Sequence, residues 1–222
     1  MIKLIVFDWD DVITLGAKEA YFAAYHQALV EVGVHLTLQE EQKRILAKWS
    51  KPPREELKEL LKEHLEFLDQ ACEVYKKEKD KIFLKSLKML RGTNELLLKL
   101  SKRYILAVAS GNTPEMIKDK IIPHFKIPQV FSQIVSSHEI HNPEKMKPHP
   151  YMLKIIMKQQ KATPRETIFV GDALTDVQMA KNAHVTPVVV LTGHLSKAEA
   201  ESLNTKWIIP DLTYLPKILN RM

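Results

Sequence analysis

Cysteine occurs once in this 222-residue sequence, at Cys72, so no disulfide can form within the chain, and the usage fits a reducing compartment. No thiol motif surrounds Cys72, which reads as a small apolar side chain rather than a nucleophile. Also missing is any stretch of about 18 uncharged apolar residues, the length that a membrane-spanning helix needs. The opening run Met1–Phe7 passes at once into Asp8-Trp9-Asp10-Asp11, with no small-residue cleavage site, and so reads as a buried strand rather than a signal peptide. A cytoplasmic protein with no membrane partner is the expectation. No block of unopposed basic residues interleaved with aromatics is present either. The formal charge is +6, but residues 16–90 hold 14 Lys and Arg against 13 Asp and Glu. Within them Lys76-Lys77-Glu78-Lys79-Asp80-Lys81 alternates in sign, as a solvated helix face does. Nucleic acid is therefore not an expected partner. The nine histidines make no zinc pattern: His138 and His141 are three apart, and no further His or Cys follows at ligand spacing.

What is present is an alternation. Hydrophobic residues make up 45% of the chain and charged residues 27%, the proportions of a globular protein with a sizeable core. Short apolar runs at 4–7, 105–109, 168–170 and 188–191 read as strands buried on both faces, with a weaker one at 133–136 and an edge candidate at 207–209. Between them lie amphipathic segments of helical spacing: 93–101 with Thr93 as N-cap, 114–122, 148–160, 175–183 and 196–203. Strands alternating with helices imply a Rossmann-like α/β sandwich on a parallel sheet. Residues 16–90 are the exception, with no strand signal. They read as helices at 18–32, 38–49, 53–65 and 68–88, with a Thr37…Glu40 capping box opening the second. The expected organisation is a Rossmann-like core from 1–15 and 91–222 that carries an inserted all-helical lid, 16–90.

Ligands in open parallel sheets bind at the carboxyl ends of the strands, so the residues that follow each strand are the informative ones. They are Asp8-Trp9-Asp10-Asp11, then Ser110-Gly111-Asn112, then Gly171-Asp172 with Asp176 four residues on; Lys147 precedes the helix leading into that last strand. Carboxylates gathered on one rim repel one another unless a cation compensates, and hard oxygen donors without His or Cys favour Mg2+. A metal beside a lysine suits an anion, phosphate first. The Ser110 hydroxyl and the N–H groups of Gly111 and Asn112 at a helix start are candidate phosphoryl-oxygen donors. Taken singly, Ser110 or Asp172 is an ordinary helix cap and Lys147 a surface lysine; together and in this order they carry a signal.

In that order the motifs Asp8-Trp9-Asp10, Ser110, Lys147-Pro148-His149-Pro150 and Gly171-Asp172-Ala173-Leu174-Thr175-Asp176 resemble the haloacid dehalogenase-like hydrolase superfamily, in the branch that includes phosphoglycolate phosphatase and β-phosphoglucomutase. The resemblance spans nearly the whole chain, and the helical insertion matches that branch's cap. It implies that Asp8 attacks phosphorus and forms a phospho-aspartate, and that Asp10 acts as acid and then base. It also implies Mg2+ held by Asp8, the Asp10 main-chain carbonyl and Asp172, with Lys147 neutralising the Asp8–phosphate pair. Asp176 would orient metal-bound water or Lys147. Asp10 favours phosphoryl transfer over dehalogenation, since halide leaves without a proton. Gly171 favours the phosphatase over the phosphomutase, which remains the alternative; a catalytically weak binding protein with a basic surface is the second. Two departures stand out: Asp11 occupies the position usually held by glycine, and Leu15 that of a frequent acidic residue. The substrate expected is a small phosphorylated metabolite, and Lys51 and Arg54 in the 50–54 turn are the candidate residues of the cap for a second anionic group.

Overall fold

In the computed structural model, which describes residues 1–48, 52–140 and 142–222, the apolar runs become strands of one sheet. They are β1 (Leu4–Phe7), β2 (Ile105–Ser110), β3 (Phe131–Ser136), β4 (Thr167–Gly171), β5 (Thr186–Val190) and β6 (Trp207–Ile209). All pair in parallel, in the order β3-β2-β1-β4-β5-β6. This is the expected Rossmann-like α/β arrangement. The four residues of β1 are completely buried, which is why the strand reads as an unbroken apolar run instead of alternating. On one face of the sheet, Met152, Leu153 and Ile156 of helix Tyr151–Gln159 and Met179 and Ala180 of helix Leu174–Asn182 pack with Leu4, Val6, Ala107 and Phe169.

The strand order reverses direction at β1: β2 and β3 lie on one side of it, β4 to β6 on the other. The crevice between the carboxyl ends of β1 and β4 is thus the topological switch point. The register brings those ends level, since Phe7 pairs with both Val108 and Val170.

The chain divides into two compact units, Met1–Leu15 with Lys88–Met222, and Gly16–Leu87. The return to the first unit comes at Lys88, earlier than the expected 91, because Leu15 and Lys88 exchange both backbone hydrogen bonds at 2.8 Å. The second unit is helical, with Ala17–Glu31, Leu38–Ala47, Pro53–Leu60 and Leu68–Ser86 around a core of Ala24, Leu29, Ile45, Leu57, Ala71 and Tyr75. Thr37 does cap its helix, its Oγ1 accepting from the Glu40 N–H at 3.2 Å, but the Glu40 carboxylate turns to Arg44 Nε at 2.8 Å rather than back to Thr37.

Two local expectations are corrected. Thr93 is the first residue of its helix and not the cap; Gly92 takes the cap position at φ +88, a left-handed conformation that favours glycine. The 114–122 segment contains a π-helical stretch, Met116–Ile121, before a short α-helix from Ile122. No helix among the described residues is long and apolar enough to cross a membrane. Trp49, Ser50, Lys51 and His141 lie outside the described residues.

Candidate active site

Asp8 leaves β1 with its N–H still bonded to the Val170 carbonyl, at 2.8 Å, across the switch point. Its carboxylate is held at both oxygens: Oδ1 accepts the Trp9 N–H at 2.7 Å, and Oδ2 lies 2.9 Å from Lys147 Nζ. Lys147 Nζ is also 2.8 Å from Asp176 Oδ1, so one ammonium joins two carboxylates from different loops. Burial pushes the Asp8 carboxyl up to about 6, against the pull of Lys147 and with the help of Asp176. Burial would by itself lower Lys147, yet the Asp176 and Asp8 carboxylates raise it above the ordinary lysine range.

Asp176 has a second task. Its Oδ2 accepts the N–H groups of Asp172 and Ala173, both at 3.1 Å, closing the start of helix Leu174–Asn182. A Cβ at Gly171 would stand 2.5 Å from that oxygen. Gly171 therefore has a packing reason that is independent of the type of reaction. Asp172 is buried, and burial followed by the charges of Asp176, Asp8 and Asp11 raises its carboxyl well above the usual range.

Around β2 the hydrogen bonds differ from the expected phosphate cradle. Ser110 and Asn112 are buried, Gly111 is exposed, and the Asn112 N–H donates to Ser110 Oγ at 3.0 Å. The Asn112 side chain instead reaches Asp10: Nδ2 lies 3.3 and 3.2 Å from the two carboxylate oxygens. Its amide orientation is set by the Thr113 N–H, which donates to Oδ1 at 2.9 Å, and its carbonyl accepts the Ser136 hydroxyl at 2.6 Å. Helical residues begin only at Pro114, beyond Gly111 and Asn112.

Neighbouring side chains take structural places. Trp9 is completely buried, edge-on to Phe131 with ring centroids 5.9 Å apart. Glu139 caps the turn after β3 by accepting the Ser136 N–H at 3.1 Å, and His149 is an exposed loop residue. Arg54, in the helical unit, pairs with Asp69 at 2.7 Å; Lys51 falls outside the described residues.

Asp8, Asp172 and Asp176 each present a carboxylate oxygen within 4.8 Å of the others. An all-oxygen set of this kind fits a hard divalent cation such as Mg2+. A second group shares Asp172 and adds Asp11 and His194. Sequence reasoning noted Asp11 only as a departure from glycine and passed over His194. Asp11 is buried at φ +56, and this left-handed backbone explains why glycine is usual at that position and why aspartate, one of the few tolerant residues, can replace it. His194 follows β5 in Leu191-Thr192-Gly193-His194, and was open to the same question asked of the other strand ends.

The haloacid dehalogenase-like hydrolase family profile matches residues 5–190. Over 124 residues the chain is 30% identical to phosphoglycolate phosphatase from Pseudomonas putida and 32% identical to the same-named protein from Pseudomonas syringae pv. syringae. Each alignment covers 56% of this chain and 44% of the relative, so this chain spans less than half the length of the curated relatives it matches. Among solved structures, a haloacid dehalogenase-like hydrolase from Streptococcus pneumoniae aligns over 98% of both chains with a TM-score of 0.79 at 16% identity. A hydrolase from Pseudomonas syringae aligns over 100% of this chain and 99% of its own, with a TM-score of 0.76 at 22% identity. At such identities these two matches speak for the fold alone. With a profile match over most of its length, the same sheet and the four motifs in order, the chain belongs to the haloacid dehalogenase-like hydrolase family.

Proposed function

We propose that the protein is a Mg2+-dependent phosphatase of small phosphorylated metabolites, working through a phospho-aspartate on Asp8. The observation that carries this reading is the Lys147 ammonium set between Asp8 and Asp176 beside a cluster of oxygen donors at the switch point. Asp8 attacks phosphorus through one carboxylate oxygen, the P–O bond to the leaving group breaks, and Asp10 gives that oxygen a proton. Asp10 then takes a proton from water as the water oxygen attacks phosphorus, which releases inorganic phosphate and restores the Asp8 carboxylate. Lys147 offsets the negative charge where nucleophile and phosphoryl group meet, and Asp176 keeps the ammonium in place. Asp8, Asp172 and the Asp10 carbonyl would hold the cation, which when bound lowers the repulsion between carboxylate and phosphate. Ser110 and the Gly111 N–H would donate to phosphoryl oxygens. Asn112 joins them in this role only if its N–H leaves Ser110 Oγ. The Gly16–Leu87 unit is read as the cap that chooses the substrate, with Lys51 and Arg54 as its candidate anion ligands.

The names of the relatives make phosphoglycolate the first substrate to try. The test is phosphate release across a metabolite panel with Mg2+, for the native protein and Asp8→Asn. The native protein should release phosphate, and the variant should lose about 1,000-fold or more in kcat. Turnover surviving in Asp8→Asn removes Asp8 as nucleophile. Conversion of a hexose 1-phosphate into its 6-phosphate without free phosphate would make the protein a mutase.

A further inference from the structure

Two carboxylates and an imidazole from three loops meet beside the site just described. Asp11, Asp172 and His194 each offer a donor atom within 4.8 Å of the other two. The loops are tied together by the backbone. The Thr192 hydroxyl donates to the Asp11 carbonyl at 2.5 Å, and the His194 N–H donates to Asp172 Oδ2 at 2.9 Å. The Leu195 N–H reaches the Asp172 carbonyl at 3.0 Å. Gly193 makes the approach possible, since a Cβ there would stand 1.9 Å from Asp172 Oδ2. Asp11 is only 3% exposed, so its charge sits where water does little to screen it, and His194 is half-buried. Asp11 is also one of the charges that raise the Asp172 carboxyl, which places the two in electrostatic contact.

We propose that Asp11, Asp172 and His194 form a second cation subsite, specific for a divalent transition-metal ion and joined through Asp172 to the Mg2+ group. An imidazole nitrogen distinguishes it from the all-oxygen set of Asp8, Asp172 and Asp176, and nitrogen donors favour transition ions over Mg2+. Five aspartates crowd this edge, namely Asp8, Asp10, Asp11, Asp172 and Asp176, and Lys147 is shared by two of them. A second cation compensates charge that a single divalent ion leaves in place. The inference rests on the cation reading of Asp172 but not on attack by Asp8.

The test uses the full chain in excess Mg2+, titrated with Mn2+ and followed by electron paramagnetic resonance. The native protein should hold a Mn2+ ion whose spin-echo modulation reports a directly bonded imidazole nitrogen. His194→Gln should abolish that modulation. Asp11→Gly, in which glycine accepts the positive φ without strain, should weaken Mn2+ by about tenfold or more while Mg2+ affinity moves by less than about threefold. Absence of the nitrogen signal in the native protein, or native Mn2+ affinity in both variants, overturns the subsite. Asp8→Asn separates the two readings. A nitrogen signal that survives in that variant leaves the subsite standing, whereas a native protein that shows the signal but turns over no phosphorylated metabolite sinks the proposed reaction alone.

Discussion

Replacing Lys147 with methionine keeps most of the stem and removes the ammonium, leaving Asp8 and Asp176 facing each other. The lost contacts are 2.9 and 2.8 Å long, with Lys147 and Asp8 side chains 13% exposed and Asp176 2% exposed. Removing one partner of a buried ion pair costs about 3–5 kcal/mol, and the partial exposure of Asp8 places this case near the lower end, about 3. For a chain of this size that lowers Tm by roughly 6–12 °C. The pH dependence follows from the direction of the Asp8 shift. Its folded value of about 6 lies above the usual carboxylate value near 4, so the folded state takes up a proton as pH falls through that window. Stability from this group is therefore greatest at low pH and declines as pH rises towards 6; without the ammonium the window extends higher. Thermal unfolding of the native and Lys147→Met proteins in EDTA, at pH 5 and pH 8, should show a small loss at the lower pH and the full loss at the higher. Adding Mg2+ at pH 8 should recover part of it. An equal loss at both pH values, or none at all, would contradict the electrostatic account of this cluster.

Further expectations concern neighbouring groups. Because protons and cations compete for Asp8 and Asp172, Mg2+ affinity measured calorimetrically should fall by about tenfold per pH unit for each of the two carboxyls that is protonated, hence by at least about tenfold per unit below pH 6; a constant affinity from pH 5 to 7.5 would contradict this. Asn112→Ala removes the amide from Asp10 and should lower kcat by about 10- to 100-fold with KM nearly unchanged. A loss confined to KM would mean that the Asn112 amide serves substrate binding rather than Asp10. Gly171→Ala forces a Cβ against Asp176 and should destabilise the fold by about 1–3 kcal/mol in urea titrations; native stability would mean that Asp176 moves aside freely.

β1, β2 and β4 were legible because each is a short apolar run buried on both sides, and burial of that kind is written in composition. β1 and β4 needed no tertiary information, and neither did the motif residues that come immediately after them. Thr93 was misread because a threonine before a leucine run is a good cap on average, whereas this backbone adopts a positive φ one residue earlier, at Gly92. The Asp10–Asn112 contact joins residues far apart in the sequence, and no local pattern announces it.

Order along the chain, together with the rule that parallel strands deliver their carboxyl ends to one edge, was enough to name Asp8, Asp10, Ser110, Lys147, Asp172 and Asp176 as companions. Which of them touch was left to folding. Lys147 spans Asp8 and Asp176, Asn112 serves Asp10, and Asp172 belongs to two donor groups, because loops from separate strands fix one another by hydrogen bonds across the switch point. Periodicity and burial are properties of short segments and survive in sequence. The meeting of loop side chains depends on backbone conformations such as that of Asp11 and close approaches such as that at Gly193, which exist only once the sheet has assembled.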